Sequence, residues 1–380
     1  MAPPKKAVKE SKATASSGSL MSKMLKHAGK YAAVLSNSPF AEKKILCSTD
    51  IPTINLMMSG ILDGGLTNGC TQVVGESRTF KSLYCLVLVK AYLDKYEDAI
   101  CVLLDNEFGS AQYFKSVGID PDRVIHCPVT DVESLKHTVM TMLEDMAEND
   151  HVIFFLDSLS QIASLKETED AIEGKVVADM TRAKMINSFF RMVTPRFVMK
   201  NVPFLFINSF YADTTNKYAD HILKSGKQAF LSSDTILFVT RSQVKEKGED
   251  LRGWSFNYRV MKSRVIKEQS KFDLEVLYEG GINRNSGLFS LAEEFGYIKA
   301  NGAWYEIKAP FMNTNKQVRS SDIENNQEFF DLLVKDKDFY KFAHDKFALE
   351  GNALFEQKDI IEIVDPDTGE VTVVKIDEED

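Results

Sequence analysis

Short apolar runs that alternate with segments of helical character most restrict how this chain can fold. Five such runs, TQVVG, AICVLLD, VIFFLD, PFLFIN and DTILFVT, lie between residues 47 and 300, and helix-like segments follow Lys81, Glu107, Asp131 and Val176. Apolar strands between helices are typical of a parallel sheet covered on both faces, so the pattern predicts an α/β fold with a mostly parallel central sheet. Two later runs, WSFNYRVMK and FDLEVLY, alternate more strongly and follow each other closely, which predicts an antiparallel edge.

Shifts in composition predict three parts along the chain. Residues 1–44 begin with a stretch rich in Pro, Ser, Ala and Lys, which predicts a disordered basic arm, and continue with apolar residues at the spacing of a short N-terminal helix. Residues 45–305 carry the α/β pattern. Residues 306–380 look helical at first and end in the sequence DEED, which predicts a small C-terminal lobe with an acidic tail.

Charge is distributed unevenly along the 380 residues, whose net charge is −9. The first 30 residues carry seven lysines against one glutamate, and the last 20 carry eight acids against one lysine. The part between them is acidic as well. Any binding of nucleic acid must therefore rest on local basic patches and not on a field that covers the whole protein.

Other compositional signals exclude several classes of protein. The five cysteines show no C-x-x-C spacing and the six histidines form no metal-ligand pattern, so we predict neither a disulfide framework nor a zinc site. Apolar runs are far shorter than the roughly 20 residues of a membrane span, and the N-terminus has no apolar segment of the signal-peptide kind. We therefore expect a cytoplasmic protein without a membrane partner.

The sequence GESRTFKS lies between an apolar strand and a helix and nearly matches the phosphate-loop pattern G-x-x-x-x-G-K-[ST]. Backbone N–H groups of such a loop bind phosphates, its lysine reaches the terminal phosphates, and its serine binds Mg²⁺. Phe80 occupies the position of the second glycine, and a capped strand-to-helix turn is the alternative interpretation. The residues predicted to hold nucleotide are Gly75, Glu76, Ser77, Arg78, Thr79, Phe80, Lys81 and Ser82.

Two carboxylates follow other apolar strands. The run HVIFFLDS leads to Asp157, in the position of an acid that holds Mg²⁺ together with Ser82. Glu107 lies two residues after Asp105 at the end of CVLLD, where a carboxylate can orient and deprotonate an attacking water molecule. Each has a structural alternative, because buried strands often end in Asp and because Asp105 with Glu107 can cap a helix. The occurrence of all three segments in order, each at a strand end, favours a nucleotide site.

These segments belong to a longer block of similarity. From about Ile45 to Trp304 the chain resembles the RecA family of recombinases, and most closely their UvsX-type branch from T-even-type bacteriophages. The resemblance rests on GESRTFKS, DNEFG, VGIDPDRVIH, SFFRMVTP and NGAWYEI, and above all on FLDSLSQIASLKETEDAIEGKVVADMTRAK. It implies a RecA-like phosphate-loop ATPase core, with Phe80 as a lineage variant of a working loop.

The resemblance also implies roles for individual residues at an ATP site. Glu107 matches the catalytic glutamate of the family, and Tyr113 matches the tyrosine that stacks on adenine. Lys262 and Arg264 share one face of an edge strand and match a pair that enters the ATP site of the neighbouring subunit. A solvent-facing basic edge is the alternative for this pair. Ser209 stands where relatives have a phosphate-sensing glutamine or histidine, and its shorter side chain departs from that pattern.

Two segments correspond to the DNA-binding loops of the family. The first lies around SLKETEDAIEGKVVAD and leads into a helix on which Lys184 and Arg191 share a face. The second is the long polar segment FYADTTNKYADHILKSGKQAF, whose basic and aromatic residues can follow phosphates and stack on bases. A mobile lid is the alternative for this second segment. The residues predicted to contact DNA are Lys175, Arg182, Lys184, Arg191, Lys217, Lys224 and Lys227.

Phe40 precedes the core on an arm and is followed by Ala41, a pair that resembles the hook by which recombinases dock on the next subunit. Packing of Phe40 on its own core is the alternative. A head-to-tail interface that does not close produces a helical filament. The residues predicted at this interface are Phe40, Lys262 and Arg264.

Taken together, the resemblance implies a DNA-dependent ATPase that forms filaments on single-stranded DNA and exchanges DNA strands in the cytoplasm of a phage-infected bacterium. Its implied cofactors are ATP and Mg²⁺. Its implied partners are single-stranded and duplex DNA, a single-strand-binding protein and a recombination mediator. Two alternatives share this core: a hexameric helicase, and an accessory filament protein that binds ATP without hydrolysing it.

Overall fold

A nine-stranded sheet forms the centre of the protein in the computed structural model, which describes residues 20–40, 43–108, 111–175, 181–211, 222–223, 227–245, 250–313, 316–349, 360–364 and 371–375. The strands are β1 (Ile45–Cys47), β2 (Leu66–Thr67), β3 (Gly69–Gly75), β4 (Ile100–Asp105), β5 (Val124–Pro128), β6 (Val152–Asp157), β7 (Pro203–Asn208), β8 (Phe210–Tyr211), β9 (Ile222–Leu223), β10 (Thr235–Val244), β11 (Gly253–Lys262), β12 (Lys271–Leu277), β13 (Gly281–Ile282), β14 (Ile298–Asn301), β15 (Trp304–Ala309), β16 (Met312–Asn313), β17 (Ile360–Val364) and β18 (Val371–Lys375). The helices are α1 (residues 20–25), α2 (Pro52–Ser59), α3 (Lys81–Lys95), α4 (Ala111–Val117), α5 (Val132–Asp145), α6 (Leu165–Ile172), α7 (Thr181–Met199), α8 (Lys227–Ser232), α9 (Leu288–Phe295), α10 (Ser320–Glu324), α11 (Gln327–Leu333) and α12 (Lys337–Phe347).

The order of strands in the central sheet confirms the predicted fold. It is β13-β12-β11-β10-β3-β7-β6-β4-β5, parallel from β10 to β5 and antiparallel from β10 to β13. The predicted antiparallel edge is therefore present, with β13 as an additional short strand. The apolar pattern does not predict β5, because its sequence VIHCP includes His126 and Pro128. An edge strand tolerates both residues, since only one side of its backbone is paired.

Alternation along the parallel strands divides the core between the two faces of the sheet. Along β4, Cys101 and Leu103 belong to the cluster that includes the apolar side chains of α3. Val102 and Leu104 belong to a second cluster, formed with α5 and α7. Successive side chains of a strand point to opposite faces, so helices cover the sheet on both sides. Burial on both faces explains why the runs are apolar at consecutive positions.

The start of helix α5 is set by a capping residue at the carboxyl edge of the sheet. Asp131 caps the helix, because its carboxylate accepts a hydrogen bond from the Ser134 N–H at 2.6 Å. The apolar residues of α5 fall on one face and are buried against the sheet: Val132, Leu135, Val139 and Leu143. The cap therefore fixes where the connection from β5 ends and the helix begins.

The segment after β13 packs onto the same core as the central sheet. Phe272 of β12 contacts Phe347 of α12, with ring centroids 4.6 Å apart. Phe329 and Phe330 of α11 are buried in the cluster that also contains the apolar side chains of α3. The predicted boundary between residues 305 and 306 falls inside β15, which pairs with β14. The division of the chain into three parts stays a prediction.

At the two ends of the chain the structure describes only part of what the sequence predicts. Residues 20–25 of the predicted N-terminal helix are helical, and Leu35–Asn37 form a 3-10 turn. The predicted basic arm before residue 20 and the DEED tail lie outside the described residues. Within the acidic C-terminal segment, β17 and β18 pair in antiparallel fashion. Among the helices of the described ranges, none has the length and apolar character of a membrane span.

Candidate active site

The phosphate loop joins β3 to α3 at the carboxyl edge of the sheet, where the parallel strands end. Gly75 ends β3 beside β10, and a Cβ atom there would lie 2.7 Å from the carbonyl oxygen of Val239 and 2.7 Å from Thr79 Oγ1. Only glycine therefore fits this position. The buried Thr79 hydroxyl donates to the Glu76 carbonyl at 2.7 Å and closes the loop. The chain then enters α3, whose first N–H groups are free of helical partners and suit a phosphate.

Phe80 takes the place of the second glycine of the pattern by adopting a left-handed backbone. Its φ is 64°, a conformation that costs a residue other than glycine about 1 kcal/mol. The ring stacks on Phe256 of β11, with centroids 4.9 Å apart and an interplanar angle of 24°. Aromatic pairs of this kind contribute about 0.5–1.5 kcal/mol beyond their burial. Packing against β11 thus offsets the strain, and the loop keeps the conformation for which the pattern uses glycine.

Ser82 and Asp157 meet at the edge of the sheet. Ser82 Oγ donates to Asp157 Oδ2 at 2.7 Å, which joins the first turn of α3 to the end of β6. Burial raises the pKa of the Asp157 carboxyl to about 6; the charges of Glu107 and Asp105 add to this rise, while the Ser82 hydrogen bond and Lys81 oppose it. Two oxygen donors this close fit Mg²⁺, which often takes one or two protein ligands and completes its shell with phosphate and water. Across the described residues, no cluster of three or more metal-binding side chains occurs.

The ammonium group of Lys81 turns back onto its own loop. It donates to the Glu76 carbonyl and lies 3.4 Å from Thr79 Oγ1. Burial lowers the pKa of Lys81, and the charges of Asp157 and Glu107 act in the opposite direction. Lys81 is a partly buried cation whose present partners are neutral oxygens. A phosphate would bind it more strongly than these oxygens do, because hydrogen bonds between charged groups are roughly twice as strong as neutral ones.

Asp105 and Asn106 fix the backbone that presents Glu107. The buried Asp105 carboxylate accepts from the Glu107 N–H at 2.9 Å and from the following N–H at 2.8 Å, and lies 3.0 Å from His126 Nε2. Asn106 connects to β6 by donating to the Ser158 carbonyl at 3.0 Å and accepting from the Ser158 N–H at 2.6 Å. Asp105 thus caps a tight turn that precedes α4, and the Glu107 side chain remains exposed, where it accepts from the Ser158 hydroxyl at 2.8 Å.

One cavity of about 680 Å³ at the carboxyl edge brings these groups together. Its walls include Ser77–Ser82, the carboxylates of Asp105, Glu107 and Asp157, and Tyr113 from α4. Tyr113 is 55% exposed, which leaves a ring face open for stacking on a base. Gln161 and Ser209 also line the cavity. Sequence reasoning missed Gln161, because it lies on a 3-10 turn after β6 for which the apolar pattern gives no signal.

Lys262 and Arg264 lie at the opposite end of the sheet, outside the walls of this cavity. Lys262 pairs with Ile236 at the start of β10, whereas the phosphate loop follows the carboxyl end of β3. Its ammonium group donates to two carbonyls at the end of α8, at 3.0 and 2.9 Å, and burial and the charge of Arg264 lower its pKa. Arg264 Nε lies 2.6 Å from a carboxylate oxygen of Asp234. Sequence reasoning missed Asp234, which pairs with Arg264 of the same subunit.

Arg182 braces the turn that follows β6. Its guanidinium donates to the carbonyls of Ile162 at 2.6 Å, Ser160 at 3.1 Å and Leu159 at 3.3 Å. These bonds join the start of α7 to the 3-10 turn Leu159–Gln161. Arg182 therefore has a structural role here that sequence reasoning did not anticipate, and its contact with DNA stays a prediction.

The other predicted DNA contacts are spread over the surface. Lys184 and Arg191 are exposed on α7, and Lys227 is exposed at the start of α8. Lys175 forms an ion pair with Glu173 after α6. The two remaining predicted contacts lie outside the described residues: Lys217 and Lys224.

Phe40, the predicted docking residue, is half-buried and contacts Tyr31 edge-on, with ring centroids 6.1 Å apart. Lys30 Nζ lies 3.2 Å from a carboxylate oxygen of Glu148, which ties this segment to the loop after α5. Both groups of that pair are exposed, and exposed pairs contribute little to stability. Ala41 lies outside the described residues, and the docking role of Phe40 stays a prediction.

Comparison with known proteins gives matches over most of the chain. This chain is 38% identical over 349 residues to the recombination and repair protein of Enterobacteria phage T4. The match covers 89% of this chain and 88% of the relative. It is 22% identical over 273 residues to protein RecA of Mesomycoplasma hyopneumoniae strain J, covering 71% and 79% of the two chains. Protein RecA of Chlorobaculum tepidum is 26% identical over 246 residues, covering 64% and 69%. No protein-family model matches the chain.

Proposed function

The chain belongs to the RecA family of recombinases, and we propose that it is an ATP-dependent strand-exchange protein. It forms a helical filament on single-stranded DNA, pairs that strand with a homologous duplex and exchanges the strands. It serves recombination, repair and recombination-dependent replication of a phage in the cytoplasm of the host bacterium. ATP hydrolysis, stimulated by DNA, resets the affinity of the filament for DNA because the contacts to the terminal phosphate are lost.

One observation supports the ATPase activity most directly: an ammonium group, a hydroxyl and two carboxylates converge on a single cavity. A lysine and a serine come from the first turn of α3, directly after the loop that follows β3, and one carboxylate comes from each of the ends of β4 and β6. These are the groups that phosphoryl transfer requires, namely a phosphate-binding cation, oxygen ligands for Mg²⁺ and a carboxylate that positions water. The four residues are Lys81, Ser82, Glu107 and Asp157.

Each of these groups has a separate task. Lys81 exchanges its carbonyl partner in the loop for the terminal phosphates of ATP. Ser82 and Asp157 would hold Mg²⁺, which neutralises phosphate charge when it is bound. Glu107 orients the attacking water and accepts its proton, and Tyr113 stacks on the adenine.

Lys262 and Arg264 act on the ATP of the neighbouring subunit. They lie at the amino edge of the parallel strands, whereas the cavity lies at the carboxyl edge. A head-to-tail contact brings these two edges of adjacent subunits together, which places the pair beside the neighbour's phosphates. The pair then exchanges its partners in α8 and Asp234 for phosphate oxygens and neutralises charge that develops during the reaction. Phe40 anchors the same interface.

DNA binds along the filament axis through local basic patches, which reconciles DNA binding with the net negative charge. The exposed side chains of Lys184 and Arg191 on α7 contact phosphates, together with Lys227. Lys175, Arg182, Lys217 and Lys224 complete the set that we propose. Single-stranded DNA is the first partner and duplex DNA the second, and a single-strand-binding protein and a recombination mediator regulate loading.

Catalytic substitution tests this function and separates it from the alternatives. With Glu107→Gln, we expect filaments on single-stranded DNA with ATP to form and persist, because the amide keeps the shape of the side chain but cannot accept the proton. Hydrolysis should fall at least about 100-fold. Glu97→Gln is the matched control, because Glu97 is exposed and precedes the same strand, β4, that Glu107 follows. Electron microscopy and a strand-exchange assay with homologous DNA give the readouts.

The outcomes distinguish three kinds of protein. Filaments and homologous pairing by the unmodified protein, with hydrolysis lost only in Glu107→Gln, support the recombinase. Closed rings that unwind duplex DNA without homologous pairing would instead identify a helicase. Filaments that hydrolyse no ATP in the unmodified protein would identify an accessory protein.

A further inference from the structure

Three serine hydroxyls connect Glu107 to the end of β7. Ser158 Oγ donates to Glu107 Oε1 at 2.8 Å and lies 3.0 Å from Ser160 Oγ. Ser160 Oγ in turn lies 3.1 Å from Ser209 Oγ. The chain of hydroxyls therefore links three separate pieces of the site: the turn after β4, the turn after β6, and the residue that follows β7.

The direction of these hydrogen bonds follows from counting protons. A serine hydroxyl carries one proton, and a carboxylate carries none. Ser158 therefore donates its one hydroxyl proton to the hydrogen bond with Glu107. The proton between Ser158 and Ser160 must then come from Ser160, and the proton between Ser160 and Ser209 must come from Ser209. All three bonds point toward the carboxylate, and bonds aligned in one direction strengthen one another. Loss of the distal hydroxyl therefore weakens the bond at Glu107.

The chain of hydroxyls is held at its centre by side chains from other elements, and its distal end adjoins a hairpin. The peptide of Ser158 is bonded at both its N–H and its carbonyl to the side chain of Asn106. The carbonyl of Ser160 accepts from Arg182, which also holds the rest of that turn. Ser209 instead directly precedes β8, which pairs with β9 to form the base of the second predicted DNA segment. A displacement of this hairpin acts on Ser209 first.

We propose that Ser158, Ser160 and Ser209 form a relay that restrains Glu107 in the absence of DNA and releases it when DNA engages the hairpin of β8 and β9. The three serines are positioning residues, since they act through Glu107. This inference rests on the proposed function, because it assigns Glu107 to water activation and the hairpin to DNA. While the relay is intact, one carboxylate oxygen of Glu107 is occupied and directed toward β6. When Ser209 moves, the bond from Ser158 weakens and the carboxylate is available to water.

Ser160→Ala tests the relay at its centre, at a residue that we place neither in the catalytic machinery nor at DNA. We expect the turnover number without DNA to rise about fivefold, the equivalent of about 1 kcal/mol. The rate with saturating single-stranded DNA should stay at the value of the unmodified protein, so the stimulation by DNA falls by the same factor. The KM for ATP and the affinity for a fluorescent ATP analogue should not change. Ser160→Thr keeps the hydroxyl and should restore the low rate without DNA.

Controls separate the relay from general destabilisation. Ser134→Ala removes a hydroxyl that donates to the Asp131 carbonyl in α5, outside the relay, and should leave both rates unchanged. Ser209→Ala removes only the distal hydroxyl and should reproduce the effect of Ser160→Ala to a smaller degree. If Ser160→Ala and Ser209→Ala both fold, bind ATP and show the unmodified rate without DNA, or a lower one, the relay does not restrain Glu107. Failure of the proposed function looks different, since the unmodified protein itself would then show no hydrolysis stimulated by DNA.

Discussion

The two edges of the parallel sheet differ in how their charged groups are satisfied. At the carboxyl edge, the functional side chains bond to one another around a cavity: Ser82 donates to Asp157, and Ser158 donates to Glu107. At the amino edge, Lys262 and Arg264 bond to carbonyls of α8 and to Asp234, and they line no part of that cavity. One edge is arranged around a cavity, whereas the cations of the other edge bond to groups of their own subunit.

This difference agrees with the proposed function. In that proposal the carboxyl edge supplies the phosphate-binding lysine, the Mg²⁺ ligands and the water-positioning carboxylate, so we expect one subunit to bind ATP without a neighbour. The amino edge contributes cations. We propose that a filament that stacks the two edges supplies what each lacks, with nucleotide binding in the subunit and full catalysis at the interface.

Removing the cation of the carboxyl edge should have the largest effect. We expect Lys81→Ala to lower ATP turnover at least about 100-fold, because it removes the ammonium group that we propose binds the terminal phosphates. Lys90→Ala is the matched control: Lys90 lies on the same helix, α3, and pairs with Asp94 at 2.6 Å. Steady-state ATPase rates with single-stranded DNA measure the effect. Near-normal turnover in Lys81→Ala would mean that the loop does not bind phosphate.

The division between the edges can be tested by mixing subunits. Lys262→Ala and Glu107→Gln should each be inactive alone in hydrolysis stimulated by DNA, while each still binds ATP. In a filament mixed in equal amounts, about a quarter of the interfaces would combine an intact Glu107 with an intact Lys262 from the neighbour. We therefore expect partial recovery of the ATPase rate on mixing. Absence of any recovery in filaments shown to contain both variants would contradict action across the interface.

The two edges also differ in how far the sequence alone predicts them. The apolar runs predict β3, β4, β6, β7 and β10 and the order of helices between them, because strands buried on both faces must be apolar at consecutive positions. The phosphate loop and the two carboxylates follow from their places at strand ends. Gln161, the serine relay and Asp234 could not be predicted, since they come together through turns whose sequences have no periodicity. Within its own subunit, Lys262 bonds to carbonyls near the end of α8. No local sequence pattern predicts where that helix ends.

Asp157 offers a way to measure how much a buried charged carboxylate at the carboxyl edge destabilises the ligand-free protein. Burial raises the pKa of its carboxyl to about 6, above the unfolded value of about 3.9. The contribution of this group to stability is therefore full below about pH 4 and is lost as the pH rises through about 6. Asp157→Asn does not titrate and can still accept from Ser82. We expect it to increase the free energy of unfolding of the ligand-free protein by roughly 3 kcal/mol at about pH 8.

Thermal unfolding at several pH values checks this prediction. The gain of Asp157→Asn over the unmodified protein should grow as the pH rises from about 4 to about 8. Asp145→Asn, at an exposed carboxylate that ends α5, is the control and should show no comparable gain. A gain that is equal at all pH values would show that the charge of Asp157 is not the cause.

The smallest effect concerns Phe80, which joins the carboxyl edge to β11, the strand that leads to Lys262. Phe80→Ala and Phe80→Gly both remove the ring from Phe256, but only glycine also relieves the backbone at φ 64°. We therefore expect Phe80→Gly to be more stable than Phe80→Ala by about 1 kcal/mol, with both less stable than the unmodified protein. Unfolding by urea measures the difference, and the ATPase rate should persist in both variants because the N–H groups of the loop remain. If alanine equals glycine here, the left-handed backbone is not what the glycine of the pattern provides, and the stacking on Phe256 alone shapes the loop.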